Sequence, residues 1–344
     1  MRKHPLPHGK DPRGRRPAPD HRLAPPHLPA RLPSRRAAGP LLGLACAALA
    51  TVVWAGSFVT SRGLHDSVPP VQQAFWRWVV ALIAVAPFGA RPAWRARAHV
   101  RRHGRYVLFA SLLGVAVYNT LVNQAGLTTP AATMGMIMAA SPVLMAVCER
   151  LAGVRLGARR TAGLLVACAG VTLLAGGGAD LSAGGLWMIG AACCFAGYSA
   201  LLRRRPAELG GAAFLFTTFL AGTVLLLPAQ AVSLAVQGGF TPAPGTVLPL
   251  LYVGVASSAV AFFAWNKAVA LIGAARAGVV YHLQPVCVAL LSWAVLGERT
   301  GRPQLLCLAL ILGGVALGAG SGRRDVPHGA GPGSRAAGRR GDDV

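Results

Sequence analysis

Between residues 41 and 321 the chain alternates long apolar runs with short polar gaps, and the runs are roughly 17 to 23 residues each. At 1.5 Å per residue a helix of that length crosses the roughly 30 Å of a bilayer's hydrocarbon. Ten such runs are expected as helices, at about 41–61, 72–90, 106–124, 130–151, 161–178, 185–203, 212–234, 246–266, 274–296 and 303–321. The runs are continuous and do not alternate polar with apolar, so barrel strands are excluded. A helix also satisfies its own backbone inside lipid.

Composition agrees with this pattern. Hydrophobic residues make up 54% of the 344, charged residues 13%, and the mean hydropathy is +0.51, more apolar than a soluble core and its surface need. The net charge of +24 sits mostly in the tails and the gaps. No basic face interleaved with stacking aromatics accompanies it, so nucleic acid is not an expected partner. Residues 1–39 carry ten Lys/Arg against two Asp and too little apolar material to fold, and residues 322–344 are rich in Gly and Arg; both read as disordered tails. The seven cysteines fall in or beside apolar runs without ligand spacing and read as small buried hydrophobes; no metal or cofactor is expected.

Charge in the gaps sets an orientation, because Lys and Arg in short loops mark the cytoplasmic side. With the N-terminus inside, Arg91, Arg95, Arg97, Arg101, Arg102 and Arg105 fall in the first inner loop. Arg150, Arg155, Arg159 and Arg160 fall in the second, Arg203 to Arg205 in the third, and Lys267 and Arg276 in the last. The outer loops hold only Arg62, Arg299 and Arg302. The expectation is a multi-pass protein of the cell membrane with both termini cytoplasmic.

The chain also repeats itself. An offset of 143 aligns Asn123 with Asn266, Ala132 with Ala275, Gly135 with Gly278 and Pro142-Val143 with Pro285-Val286. Small slips bring Ala55-Gly56 onto Ala196-Gly197, Pro87 onto Pro228, and Gly170-Val171 onto Gly314-Val315. The fold class this predicts is all-α integral membrane: a first five-helix repeat over 40–180 and a second over 181–321. Five is odd, so the two copies are inverted, and inverted repeats can open a central site to each side in turn.

Four segments carry a resemblance: WAGSFVTSRG (54–63), NQAGLTTPAATMGMIMAASPV (123–143), WNKAVALIGAARAGVVYHLQPV (265–286) and LGERTGRPQLLCLALILGGVAL (296–317). With them the chain resembles the EamA-type transporters of the drug/metabolite transporter superfamily. The resemblance covers about residues 41 to 321 and implies ten helices, cytoplasmic termini, and movement of amino acids or other small metabolites, usually outward. Val154 stands where the second repeat has Glu298.

Polar residues inside spans are costly in lipid and should point inward. Pro142 and Pro285 each remove a helical hydrogen bond and are expected to kink their helices beside the cavity. Helical spacing puts Tyr281, Pro285, Val288 and Ser292 on one stripe flanked by Gln284; the counterpart is Met138, Pro142, Met145 and Glu149 flanked by Ser141. His282 is either a packing residue or the carrier of a coupled proton and a substrate partner. Asn123 and Asn266, beside Gln124 and Lys267, either cap helix ends or line the cavity, with Lys267 a cation for a substrate carboxylate. Arg77 either snorkels to the headgroups with Trp76 and Trp78 as belt residues or lines the outer vestibule. Trp54, Ser57, Tyr118, Asn119, Tyr198 and Trp265 offer aromatic and polar surface to a small amphipathic solute.

Secondary transport of a small-molecule substrate, in the outward direction, is the reading these features support. An intramembrane hydrolase using Ser199 and His282 would mimic a serine/histidine dyad, yet leaves the repeat unexplained. A non-transporting scaffold leaves the polar stripes unexplained. The Gly-rich last helix is a candidate face for a homodimer.

Overall fold

The computed structural model describes residues 35–319 apart from 142, 145–146, 148–149, 151–152, 154–156 and 177–182. The two tails and Pro142, Met145, Cys148, Glu149 and Val154 lie outside the described residues. Among the described residues every element is a helix: α1 (Arg35–Gly63), α2 (Pro70–Arg95), α3 (Arg97–Arg102), α4 (Gly104–Gly126), α5 (Ala131–Ala139), α6 (Ala158–Gly176), α7 (Ala183–Arg203), α8 (Gly211–Gln237), α9 (Pro244–Ile272), α10 (Ala274–Tyr281), α11 (Gln284–Leu296) and α12 (Arg302–Ala319).

Seven stretches among the described residues are long and apolar enough to cross a membrane: those of α1, α2, α4, α7, α8, α9, and Arg276–Leu296 across α10 and α11. Of the other three expected runs, those in α6 and α12 are shorter apolar helices, at Thr161–Val171 and Arg302–Leu317, and 130–151 is interrupted. The interruption differs in form from the expected proline kink. Helix α5 ends at Ala140 (φ −83°, ψ −1°), and the second repeat ends α10 just before Leu283 (φ −78°, ψ −6°). Pro285 is therefore not a bend inside a helix but an early residue of a new one, where its missing N–H costs nothing.

A second feature is written twice. Helix α4 widens into a π segment over Leu112–Val117, and α9 does the same over Tyr252–Val260. A π segment shifts the backbone bonds to i+5 and frees carbonyls for other donors.

The packing exchanges the repeats. Helix α2 packs along α8, α6 along α12, α1 along α9, α4 along α7, and α5 along α11. Replacing each helix by its counterpart in the other repeat returns α2–α8 and α6–α12 and exchanges α1–α9 with α4–α7. The two sequence halves therefore interleave and do not form separate bundles. At the α6–α12 contact the glycines matched in sequence face each other's helix. A Cβ at Gly170 would stand 2.8 Å from Ile311, and one at Gly314 would stand 2.5 Å from the backbone nitrogen of Ala167. The Gly314 face of the last helix is thus taken up inside the chain. The largest buried cluster joins α1, α4, α5, α6, α7, α11 and α12 around Met134, Met136, Met188, Val288 and Ile311. The cysteines divide: Cys307 is buried as expected, whereas Cys168 and Cys193 lie on exposed helix faces. A thiol is small and apolar enough for either place.

Candidate solute-binding site

The site is built on the π segment of α9. Ser258 Oγ donates to the freed Val253 carbonyl at 2.9 Å, and the Ser257 carbonyl accepts the indole N–H of Trp54 at 3.0 Å. Both serine hydroxyls then face α2 and accept from one guanidinium: Arg77 Nε to Ser258 Oγ and Arg77 Nη2 to Ser257 Oγ, each 3.2 Å. Arg77 does not reach for the headgroups. Its guanidinium lies 5.4 Å from the Trp78 ring centre, and Trp78 is buried at 4% exposure, not placed in a belt; Trp76 is exposed. The π segment draws the cation inward because it places two hydroxyl acceptors within hydrogen-bond reach of α2. No carboxylate pairs with Arg77 among the described residues. Tyr118 and Tyr252 are the aromatic hydroxyl groups within its electrostatic range.

Beside the cation stands an aromatic cluster. Trp54 meets Trp265 at 5.5 Å, Phe262 at 5.6 Å and Tyr281 at 5.9 Å, and Trp265 meets Tyr281 at 5.7 Å. Such separations suit edge-on and tilted ring contacts. Tyr281 and Gln284 flank the α10–α11 break. Tyr252 Oη donates to the Val53 carbonyl at 2.7 Å. Arg77, Trp54, Tyr118, Tyr252, Trp265 and Tyr281 are all half-buried, so each keeps accessible surface while its partners come from other helices. Trp54 and Arg77 meet on one residue, the first on the Ser257 carbonyl and the second on its hydroxyl.

The other candidates lie elsewhere or are spent on backbone. Ser57 Oγ donates to its own helix at Trp54 O, 2.7 Å. Asn119, buried at 2% exposure, donates to Val115 O at 3.2 Å. Asn123 ties helix ends: it accepts from Ser61 Oγ at 2.7 Å and donates to Pro70 O at 3.1 Å. Asn266 and Lys267 are exposed near the end of α9. Met138 and Ser141 are buried near the end of α5, Met138 in the large cluster. Tyr198 packs with Val107, Ala110, Leu209 and Phe214 where α4, α7 and α8 meet. His282 is half-buried at the α10–α11 break, and Pro285 and Gln284 are buried just after it. The sequence reading missed Tyr252, Ser257, Ser258 and Phe262. Two adjacent serines inside an apolar run were the available signal.

A second constellation closes one end of the bundle. Gly297, at φ +69° and ψ 8°, caps α11 in the left-handed conformation that suits glycine and turns the chain back. Glu298 then accepts from Ser292 Oγ at 2.5 Å, from the Ala131 N–H at 3.0 Å, and from Arg62 Nε at 2.9 Å. Arg62 Nη1 also donates to the carbonyls of Gly126 and Leu127 at 2.9 and 3.1 Å. One ion pair thus ties the end of α1, the α4–α5 turn and the end of α11. At the opposite end, a cleft of about 460 Å³ is lined by Pro92, Arg95, His99 and Gly210 to Ala213. It lies 18 residues along α2 from Arg77, roughly 27 Å at helical rise, so it is a surface feature apart from the aromatic cluster. Nearby, the exposed Glu208 carboxyl is held below its usual range by a backbone N–H and by His103, His99 and Arg102.

Duplicated helices with matching breaks, apolar spans and a polar cluster between the repeats define a multi-pass membrane transporter. Residues 41–176 and 182–319 each match the EamA-like transporter family, and the chain belongs to that family. Over 280 residues it is 30% identical to a "Probable terminal-alkyne amino-acid exporter" of Streptantibioticus cattleyicolor, covering 78% of this chain and 90% of that one. It is 24% identical to the "Uncharacterized transporter YdfC" of Bacillus subtilis, over 77% of this chain and 87% of the relative. A solved crystal structure shares the fold with a TM-score of 0.53 at 23% identity, covering 82% of this chain and 96% of the other. The chain is a transporter and not an enzyme.

Proposed function

We propose that the chain is a secondary transporter that exports a small, amino-acid-like solute across the cytoplasmic membrane by alternating access. The observation that carries the reading is the half-buried cluster of Arg77, Trp54, Tyr118, Trp265 and Tyr281, held inside membrane-spanning helices by residues of both repeats. A scaffold has no use for an unneutralised guanidinium there. The outward direction rests on the exporter among its relatives and on the family resemblance.

The topology that goes with this is ten spans in two inverted repeats, with α6, α12 and the interrupted 130–151 segment completing the seven long spans. Both termini are cytoplasmic. The Arg62–Glu298 pair then lies on the outer side. Opening outward requires Glu298 to give up partners on α1 or α5, so the pair acts as the outer latch. Because the repeats interleave, the moving bodies are not the sequence halves: α1, α9 and α10–α11 pack as one group, and α4, α5 and α7 as its counterpart. His282, at the break, is the candidate proton carrier.

The test is metabolite profiling of medium from cells lacking or overproducing the protein, followed by efflux of the leading compound from proteoliposomes. A compound that accumulates outside only with the protein supports export; identical profiles overturn it. Reporter fusions at both termini give cytoplasmic signals if the helix count is even. His282→Ala abolishes any pH-driven part of the flux, and unchanged proton dependence removes His282 from the mechanism.

A further inference from the structure

The guanidinium of Arg77 has five N–H donors, and the protein takes up two of them, on Ser257 and Ser258. Both acceptors are neutral hydroxyls at 3.2 Å. The other three N–H groups have no partner among the described residues, and no carboxylate offsets the charge there. A charge held this way in a membrane-spanning bundle is expensive unless an anion joins it. The rest of the site is a receptor for a carbon body: Trp54, Trp265, Phe262 and Tyr281 present ring surface one residue away, through the shared Ser257.

We propose, resting on the transport reading above, that the solute is a small carboxylate with an apolar body, and that Arg77 holds its carboxylate while the Trp54–Trp265–Tyr281 cluster holds the body. The two serines grip one edge of the guanidinium and leave its other edge to a bidentate carboxylate, the geometry that arginine and not lysine provides. Among the described residues the cluster is given a cation and no paired carboxylate, so an anion is the charge that complements it. Arg77, and not Lys267, the cation suggested by sequence for that role, is the one bonded to the serines; Lys267 is exposed two residues beyond Trp265.

The test loads proteoliposomes of the full chain with the small-molecule extract of its own cells and identifies by mass spectrometry what leaves faster than from protein-free liposomes. The compounds that leave are expected to carry a carboxylate. The carboxamide of such a compound, equal in shape but uncharged, leaves at least tenfold more slowly. Arg77→Gln cuts carboxylate efflux at least tenfold, and Arg77→Lys retains an intermediate rate because it keeps charge without the fork. Efflux confined to neutral or cationic compounds, equal export of the carboxamide, or wild-type carboxylate efflux by folded Arg77→Gln overturns the inference and leaves the transport reading standing. Where Arg77→Gln does not fold, the carboxamide comparison in the wild-type protein still decides. If no compound leaves faster than from protein-free liposomes, the transport reading falls and this inference with it.

Discussion

The two π segments are the same device put to different uses. In each, a freed carbonyl is taken by an indole: Val115 O by Trp78 at 3.0 Å in the first repeat, Ser257 O by Trp54 at 3.0 Å in the second. The two carbonyls stand within one residue of matching places, since the offset of 143 pairs Val115 with Ser258. Around Val115 the setting is sealed, with Trp78 buried and 4.6 Å from Phe219. Ser257 is itself fully buried, but the rings beside it are not sealed: Trp54 is half-buried, with a guanidinium on the serine hydroxyl and three further rings in contact. Duplication explains the scaffold, and the departures from it place the candidate chemistry. A π segment occupied by valine and alanine packs; one occupied by serines recruits a charge.

The largest effect expected from breaking this comparison comes from the glycines of the two segments. A Cβ at Gly254 would run into Val80, 2.5 Å from its Cβ, and come within 3.1 Å of the Arg77 carbonyl, so backbone must move. A Cβ at Gly114 would first meet the ring of Tyr198, at 2.6 Å, and a ring can swing aside. Gly254→Ala is expected to cost about 1–3 kcal/mol and much of the folded yield. Gly114→Ala costs less. Thermal melts of the purified proteins in detergent compare them; equal losses would mean that the segments are packed alike.

Exchanging the indoles separates fold from function. Trp78→Phe removes one of two donors from the buried Val115 carbonyl, which keeps the Asn119 amide at 3.2 Å, and costs about 0.5–1.5 kcal/mol of stability, with solute affinity little changed in the protein that folds. Trp54→Phe takes the indole N–H from the carbonyl of Ser257, a fully buried residue, so it costs about 1–2 kcal/mol, and it also loosens the residue that Arg77 shares. Its expected signature is a severalfold rise in KM for efflux. A rise in KM at Trp78→Phe with none at Trp54→Phe would place the site in the other repeat.

The repeats differ again where Glu298 has Val154 as its counterpart. Glu298→Gln keeps the shape, removes the charge that Arg62 pairs with, and is expected to cost about 1 kcal/mol, since both side chains keep roughly a fifth of their surface accessible. If the pair is an outer latch, the same substitution raises the accessibility of a cysteine placed in the site to a thiol reagent applied outside. Unchanged labelling would reduce the pair to a structural tie.

Spans and repeat were legible in the sequence because both are patterns of residue type along the chain, and the match of residues 41–176 and 182–319 to one family follows them. The π segments were not legible: nothing in LLGVAV or YVGVASSAV departs from an ordinary apolar helix, and the extra residue per turn is decided by what packs against it. Arg77 shows the limit most sharply. Its depth along α2 allowed snorkelling, and only the position of two serines on a helix 180 residues away turns it inward. The break before Pro285 was half-legible, since proline announces an interruption without saying whether the chain bends or restarts. For the aromatic candidates, composition picked out Trp54, Trp265 and Tyr281, while helix rotation alone separates them from Tyr198.

The smallest expected effect discriminates most finely between the roles of neighbouring hydroxyls. Ser258 Oγ accepts from Arg77 and donates to the Val253 carbonyl, so it belongs to the π segment as much as to the site. Ser257 Oγ has Arg77 as its partner, while its backbone carbonyl holds Trp54. Ser258→Ala is therefore expected to lower stability by about 0.5–1.5 kcal/mol, the worth of a hydrogen bond whose loss leaves a carbonyl less well satisfied. Ser257→Ala leaves the segment's bonding intact and removes one of the two hydroxyls that aim the guanidinium. Its melting temperature should match the wild type within about a degree, while KM for efflux rises about two- to fivefold, as loss of one neutral partner of a charge allows. A melting temperature that falls for both, with KM unmoved, would mean that Arg77 is there to hold the π segment together, and the contrast between a sealed repeat and an open one would lose its functional meaning.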